Sequence, residues 1–176
     1  LENVIKPVVA QMEKNGTPFT GFLYAGLMVT DSGDIKVIEF NARHGDPEAQ
    51  VILRRMDSDL CELILNLCDQ NGDLPEQSCS DAAAVCIVLA SDGYPENPKK
   101  GDEITGVNLA EAMNDCVVFH AGTKLDSAGK LVTGGGRVLN VTALGKDVEE
   151  ARSNAYKATD LVQFRGQQLR RDIALK

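Results

Sequence analysis

Glu39, Asn41 and Arg43 stand at every second position of the run Val37-Ile38-Glu39-Phe40-Asn41-Ala42-Arg43. On a strand, that spacing sends all three side chains to one face and Ile38, Phe40 and Ala42 to the other, which is expected to be core. A carboxylate and a carboxamide two residues apart both present oxygen, the ligand type a hard ion such as Mg²⁺ prefers. Mg²⁺ takes one or two protein ligands and fills its remaining positions with water and phosphate oxygens, so the pair suits a metal–nucleotide complex better than a closed metal cage. Arg43 could meet a phosphate or carboxylate with its planar fork. The pattern alone favours a solvated strand face closed by a Glu39–Arg43 ion pair, because E-x-N-x-R is short and common.

Two further stretches could do chemistry. Gly45-Asp46-Pro47-Glu48 reads as a helix start, with Asp46 as N-cap, Pro47 in the first position and Glu48 in the first turn. Free amides there would attract an anion, whereas Asp46 would attract an amine, and both readings stay open. In Thr133-Gly134-Gly135-Gly136-Arg137, consecutive glycines would let backbone amides approach an anion that Arg137 then pairs. Gly-rich hairpin turns also look like this. His120-Ala121-Gly122-Thr123 is a weaker signal, and His44 and His120, the only histidines, read as structural. The sequence has no G-x-x-x-x-G-K-[ST] loop, no G-x-S-x-G elbow and no His/Cys cluster spaced for zinc.

The elements that must position these residues read as α+β in two pieces. Ile5, Val8, Val9 and Met12 form one face of a helix that Asn15-Gly16 ends. The chain opens without Met inside this helix, which predicts a piece of a larger protein. Strands over 21–29 and 35–41, joined by Asp31-Ser32-Gly33-Asp34, predict an antiparallel hairpin. A helix over 58–68 shows Leu60, Leu63, Ile64 and Leu67, and Asn71-Gly72 is expected to stop it. Residues 69–81 are polar, aperiodic and contain Gly and Pro, the best internal boundary. Further strands are expected over 82–90, 117–125 and 138–142, with a Gly/Pro-rich loop at 93–95 and a turn at Asp126-Ser127-Ala128-Gly129. A last helix begins at the capping box Asp147/Glu150 and shows Val148, Ala151, Ala155, Ala158 and Val162.

Of 176 residues, 43% are hydrophobic and 25% charged, enough apolar material for a core, and 18 basic against 26 acidic side chains leave a net charge of −8. Such a balance argues against nucleic acid as a partner. No apolar run approaches the ~20 residues of a membrane helix, so no membrane partner is expected either. Five cysteines without a C-x-x-C pair predict buried thiols in a reducing cytoplasm rather than disulfides or zinc.

LYAGLM (23–28), VIEFNARHGDPEAQ (37–50), SDL (58–60), GYP (93–95), FHAGT (119–123) and GGRVLNVTALG (135–145), in this order, closely resemble the C-terminal portion of the phosphoribosylamine–glycine ligases, also called glycinamide ribonucleotide synthetases. These are ATP-grasp enzymes of purine biosynthesis. The resemblance implies the second half of an ATP-grasp domain over 1–72, a linker over 73–81 and a small α+β C-terminal domain over 82–176. It implies an ATP-dependent carbon–nitrogen ligase that phosphorylates glycine to glycyl phosphate and passes the acyl group to 5-phosphoribosylamine. By the same resemblance Glu39 and Asn41 hold Mg²⁺ or Mn²⁺ against the nucleotide phosphates, and Arg43 stabilises the transferring phosphoryl or acyl phosphate. Asp46 orients an amine, and Gly135, Gly136 and Arg137 approach the ribose phosphate. A cytoplasmic, monomeric full-length enzyme is implied, together with an N-terminal half carrying the adenine pocket and the phosphate loop, without which this chain is expected to be inactive. The position of His44 carries Phe in the family, a departure of similar size. Another ATP-grasp ligase or carboxylase, or a non-catalytic module that binds a partner chain, are the competing readings.

Overall fold

The computed structural model describes residues 1–69 and 74–175, and packing divides the chain into two compact units: Leu1–Ala49 with Ser58–Gln77, and Gln50–Asp57 with Ser78–Lys176. The first unit opens with helix α1 (Ile5–Lys14). Gly16, at φ +76°, gives it a left-handed end in which the Gly16 and Thr17 amides return to the carbonyls of Glu13 and Met12. Strands β1 (Tyr24–Val29) and β2 (Ile35–Asn41) form the expected antiparallel hairpin, closed by hydrogen bonds between Thr30, Gly33 and Asp34.

The hairpin face expected to be core is not buried. Ile38 is 64% and Phe40 40% exposed, and Leu27, Met28, Val29, Ile35 and Val37 are exposed as well. A two-stranded ribbon has too little of its own surface to cover either face.

The next helix, α2, spans Glu48–Arg55, so it starts one residue later than Pro47 in the first position requires; Asp46 and Pro47 lie in a turn, and the Ala49 amide donates to the Gly45 carbonyl at 2.9 Å. Helix α3 (Leu60–Cys68) is capped by the Asp59 side chain, which accepts from the amides of Cys61 and Glu62. Of its expected apolar face Leu63 is buried, Ile64 is exposed, and the expected stop at Asn71-Gly72 lies outside the described residues.

Residues 50–57, placed with the first portion by sequence, pack with the second unit. Met56 bridges to Cys79, Arg55 donates to the Ser80 carbonyl at 3.0 Å and Arg54 to that of Asp115 at 3.3 Å. The second unit is built on a three-stranded antiparallel sheet in the order β3 (Ala83–Ala90), β7 (Arg137–Gly145), β4 (Cys116–His120). Val85, Ile87 and Leu89 pair with Ala143, Val141 and Leu139, and Cys116 and Val118 flank them on the same face. Against this face lies α5 (Val148–Thr159), whose Ala151, Ala155 and Ala158 are fully buried; alanines let the helix approach the sheet closely. Its expected first member, Val148, is 48% exposed. Asp147 caps α5 by accepting from the Glu150 amide at 2.8 Å, and Glu150 reaches back to the Lys146 amide, one residue earlier than in the usual box.

Between β3 and β7 the structure adds pieces the periodicity did not show. A five-residue helix, α4 (Val107–Glu111), starts at Gly106, whose φ of +79° and contact with the Leu161 carbonyl leave no room for a side chain. The run 117–125 is divided into β4 and β5 (Thr123–Leu125), and β5 pairs with β6 (Leu131–Thr133) around a turn in which Asp126 accepts from the amides of Ala128 and Lys130. No disulfide joins the five cysteines, but Cys61, Cys68 and Cys79 are exposed and only Cys116 is buried, where burial pushes its pKa up. Short helix ends and loops cannot enclose them. No helix among the described residues is long and apolar enough to cross a membrane.

Candidate functional site

In the first unit Glu39 lies directly across the hairpin from Gly26, and Asn41 directly across from Tyr24. Opposed residues share a face, so these four sit together, as the alternation predicts for Glu39 and Asn41. The register then slips: Gly26 pairs Glu39 but Leu27 pairs Val37, leaving Ile38 as an extra residue on β2. A bulge at this point raises the local twist and re-aims the side chain beside it, which here is Glu39. The Glu39 side chain lies close over Gly26, where a Cβ would stand only 3.1 Å from the Glu39 Cγ, so the glycine permits this approach.

Beyond Asn41 the chain turns into α2. Arg43 donates from Nη1 to the carbonyl of His44 at 2.7 Å, which orients the guanidinium locally, in place of the ion pair with Glu39 that the strand pattern favours. The imidazole of His44 lies 4.2 Å from the ring of Phe22, tilted by 37°, so it fills the place of an aromatic ring. Tyr24 Oη donates to Glu48 Oε1 at 3.1 Å. The Glu48 carboxylate folds over Gly45, where a Cβ would clash with it. The bond to Glu48 raises the Tyr24 pKa, with loss of water and the charges of Glu48 and then Glu39 adding to it. Asp46 is exposed within the turn. Among the described residues no three His, Cys, Asp or Glu side chains cluster as a metal cage.

Spacing alone did not assign Tyr24, Gly26, Phe22 and Glu48 to this site. Register carried on from the turn at 31–34 would set Gly26 opposite Ile38 and Tyr24 opposite Phe40; the bulge at Ile38 moves them opposite the oxygen ligands, and nothing in the spacing marks it.

In the second unit the glycine loop is used mainly for close packing. The amides of Gly134 and Gly135 both donate to the Gly122 carbonyl, so two of the donors expected to face an anion are taken up inside the loop. Gly122 itself sits against Gly135 and the Arg137 carbonyl. Ser91, fully buried, directs its hydroxyl to the carbonyls of Gly135 and Gly136 at 3.0 and 3.3 Å, and its amide donates to Gly136 at 2.9 Å. The ring of Tyr94 covers Gly136. Arg137 begins β7 with an exposed side chain, and His120 Nδ1 lies 3.0 Å from Thr123 Oγ1. Ser91 and Tyr94 are the members of this cluster that sequence reasoning missed, because the contacts that use them join loops far apart in the chain.

Residues 84–176 match the family described as phosphoribosylglycinamide synthetase, C domain, and residues 1–49 match the ATP-grasp (A) domain of the same synthetase. The phosphoribosylamine–glycine ligase of Neisseria meningitidis serogroup A is 47% identical over 176 residues, covering 100% of this chain and 41% of that protein. The crystal structure of phosphoribosylamine–glycine ligase from Thermotoga maritima superposes with a TM-score of 0.77 at 40% identity, over 93% of this chain and 39% of that one. That of N5-carboxyaminoimidazole ribonucleotide synthetase from Thermotoga maritima, at 20% identity and a TM-score of 0.59 over 88% of this chain and 39% of that one, shares the fold. This chain spans about two fifths of the length of the curated relatives it matches. With both stretches matching and the mixed α/β architecture in common, the chain belongs to the phosphoribosylglycinamide synthetase family.

Proposed function

We propose that this chain supplies the metal-holding strand and the C-terminal domain of an ATP-dependent ligase that joins glycine to 5-phosphoribosylamine. Residues 1–72 act as the second half of the ATP-grasp domain, 73–81 as the linker and 82–176 as the C-terminal domain. The observation that carries this reading is Glu39 and Asn41 on one strand face opposite Gly26 and Tyr24, followed at once by the turn with Arg43 and Asp46. Two oxygen donors on one strand face, with Glu39 exposed, fit Mg²⁺ or Mn²⁺, which supplies charge neutralisation at the nucleotide phosphates when bound.

The γ-phosphoryl of ATP passes to a glycine carboxylate oxygen, giving glycyl phosphate and ADP. The amine nitrogen of phosphoribosylamine then attacks the acyl carbon; the C–O bond to phosphate breaks, and the nitrogen sheds a proton. Arg43 holds charge on the phosphoryl oxygens through its planar guanidinium, an electrostatic and positioning role. Asp46 orients the attacking amine. Arg137 pairs the ribose phosphate, with Gly135 and Gly136 shaping the approach rather than donating all their amides. Cysteines without disulfides suit the cytoplasm, where the full-length enzyme works as a monomer.

Identifying the product of the full-length protein tests this. Glycinamide ribonucleotide should form from glycine and phosphoribosylamine and from no other acid–amine pair. Turnover of a different pair points to another ATP-grasp ligase, and no metal or nucleotide response at all points to a binding module.

A further inference from the structure

The turn that carries Arg43 and Asp46 is held from one side by a contact that the proposed reaction does not itself use. Tyr24, at the start of β1, stands opposite Asn41, the last residue of β2. Its hydroxyl crosses the turn to Glu48, the first residue of α2, 24 positions away in sequence. Between them lies Gly45, buried, with no room for a Cβ against Glu48 and 3.1 Å from the Tyr24 ring if one were present. The Gly45 carbonyl receives the Ala49 amide, so the same residue is fixed through its backbone. Six residues, Ala42 to Pro47, are thereby bounded by a strand end on one side and a hydrogen-bonded helix start on the other. A loop of that length, held only at its ends, would sample many shapes. Arg43 bonds to the carbonyl of its neighbour His44, so the path of the backbone between Asn41 and Glu48 decides where its guanidinium stands, and Asp46 is carried on the same stretch.

We propose that Tyr24 and Glu48 are positioning residues whose hydrogen bond, closed over Gly45, sets the turn that presents Arg43 and Asp46 beside Glu39 and Asn41. The proposal rests on the ligase reading for its catalytic consequence but not for the clamp itself. Glu48 therefore does more than complement the positive end of α2, a role any first-turn carboxylate could fill. Catalysis of phosphoryl and acyl transfer depends on charge held at fixed positions, and a displacement of about 1 Å is enough to lose much of it.

Hydrogen exchange on this chain tests the clamp, and kinetics on the full-length protein tests its consequence. In Tyr24→Phe the Ala49 amide should exchange about tenfold faster, while the Thr17 and Thr30 amides, outside the turn, keep their rates. Glu48→Gln retains an oxygen acceptor and should keep most of the protection; Glu48→Ala should match Tyr24→Phe, and the double variant Tyr24→Phe/Glu48→Ala should lose no more than either alone. In the full-length protein Tyr24→Phe should lower kcat about tenfold with KM for Mg-ATP within about twofold, since the loss is one of transition-state positioning. An Ala49 amide that does not respond, or amides that speed up together throughout the unit, overturns the clamp. An unchanged kcat overturns the positioning role. If the Ala49 amide responds while the unmutated full-length protein shows no glycine-dependent ADP release, the clamp stands and the ligase reading falls.

Discussion

Gly26 and Glu39 face each other across the hairpin, at the point where the extra residue Ile38 shifts its register, and the Glu39 side chain lies against the place a Cβ would take at Gly26. Any side chain at Gly26 would crowd the Glu39 Cγ, which even a Cβ would meet at 3.1 Å. A branched side chain there would push the Glu39 Cγ aside and, on the proposed metal role, move the carboxylate away from the ion it would hold. Gly26→Val in the full-length protein should therefore reduce metal-dependent turnover toward the level of Glu39→Gln while leaving the circular dichroism of the fold unchanged. Near-normal ADP release in either variant would remove Glu39 from the metal site.

Arg43 makes one local hydrogen bond, which leaves its planar fork as the feature that a lysine cannot copy. On the proposed role, Arg43→Lys should lose mainly kcat, because a contact to the transferring group would strengthen as charge develops on it. A kcat equal to the parent, with lowered thermal stability, would make Arg43 a structural residue.

The raised pKa of Tyr24 gives a pH signature with a definite sign. The hydroxyl donates to the Glu48 carboxylate, which disfavours ionisation of the phenol in the folded chain. The stabilisation is fully present below the unfolded tyrosine value of about 10 and is lost as pH rises through the higher folded value. The difference in unfolding free energy between the parent chain and Tyr24→Phe should stay flat up to about pH 10 and shrink above it. A difference that grows with pH would contradict the bond.

Gly136 is covered by the Tyr94 ring, and a Cβ would come within 2.6 Å of it. Gly136→Ala should cost roughly 1–3 kcal/mol by overpacking, read as a shift of the denaturation midpoint, and Tyr94→Ala in the same chain should recover part of that loss. Two additive losses would mean the two residues are not coupled.

How much of this was legible beforehand depends on whether the signal was local. The β2 boundaries, the α1 end at Gly16, the Asp147 cap and the alanine face of α5 all follow from neighbouring residues, and all appear as read. The strand pairings that make Gly26 and Tyr24 partners of Glu39 and Asn41 follow from hairpin register, which one bulge at Ile38 changes without any sequence mark. The apolar alternation of β2 predicted a core face, yet alternation states only which residues share a side, not what covers it. The glycine run was read for its amides; two of them go to Gly122, a partner 12 and 13 residues away that no spacing rule points to. Helix α4 and strand β6 were missed because each is too short to show a period.

Titration of this 176-residue chain with Mg-ATP, run beside the full-length protein, tests most directly the claim that the chain provides one wall of a two-sided nucleotide site. Glu39 and Asn41 alone would leave a metal ion largely hydrated and the nucleotide open to water on one side. The full-length protein is predicted to bind Mg-ATP at micromolar concentration and to release ADP only with glycine and phosphoribosylamine present, while the chain alone gives no measurable heat and no ADP. Micromolar binding or glycine-dependent turnover by the chain alone would contradict the account.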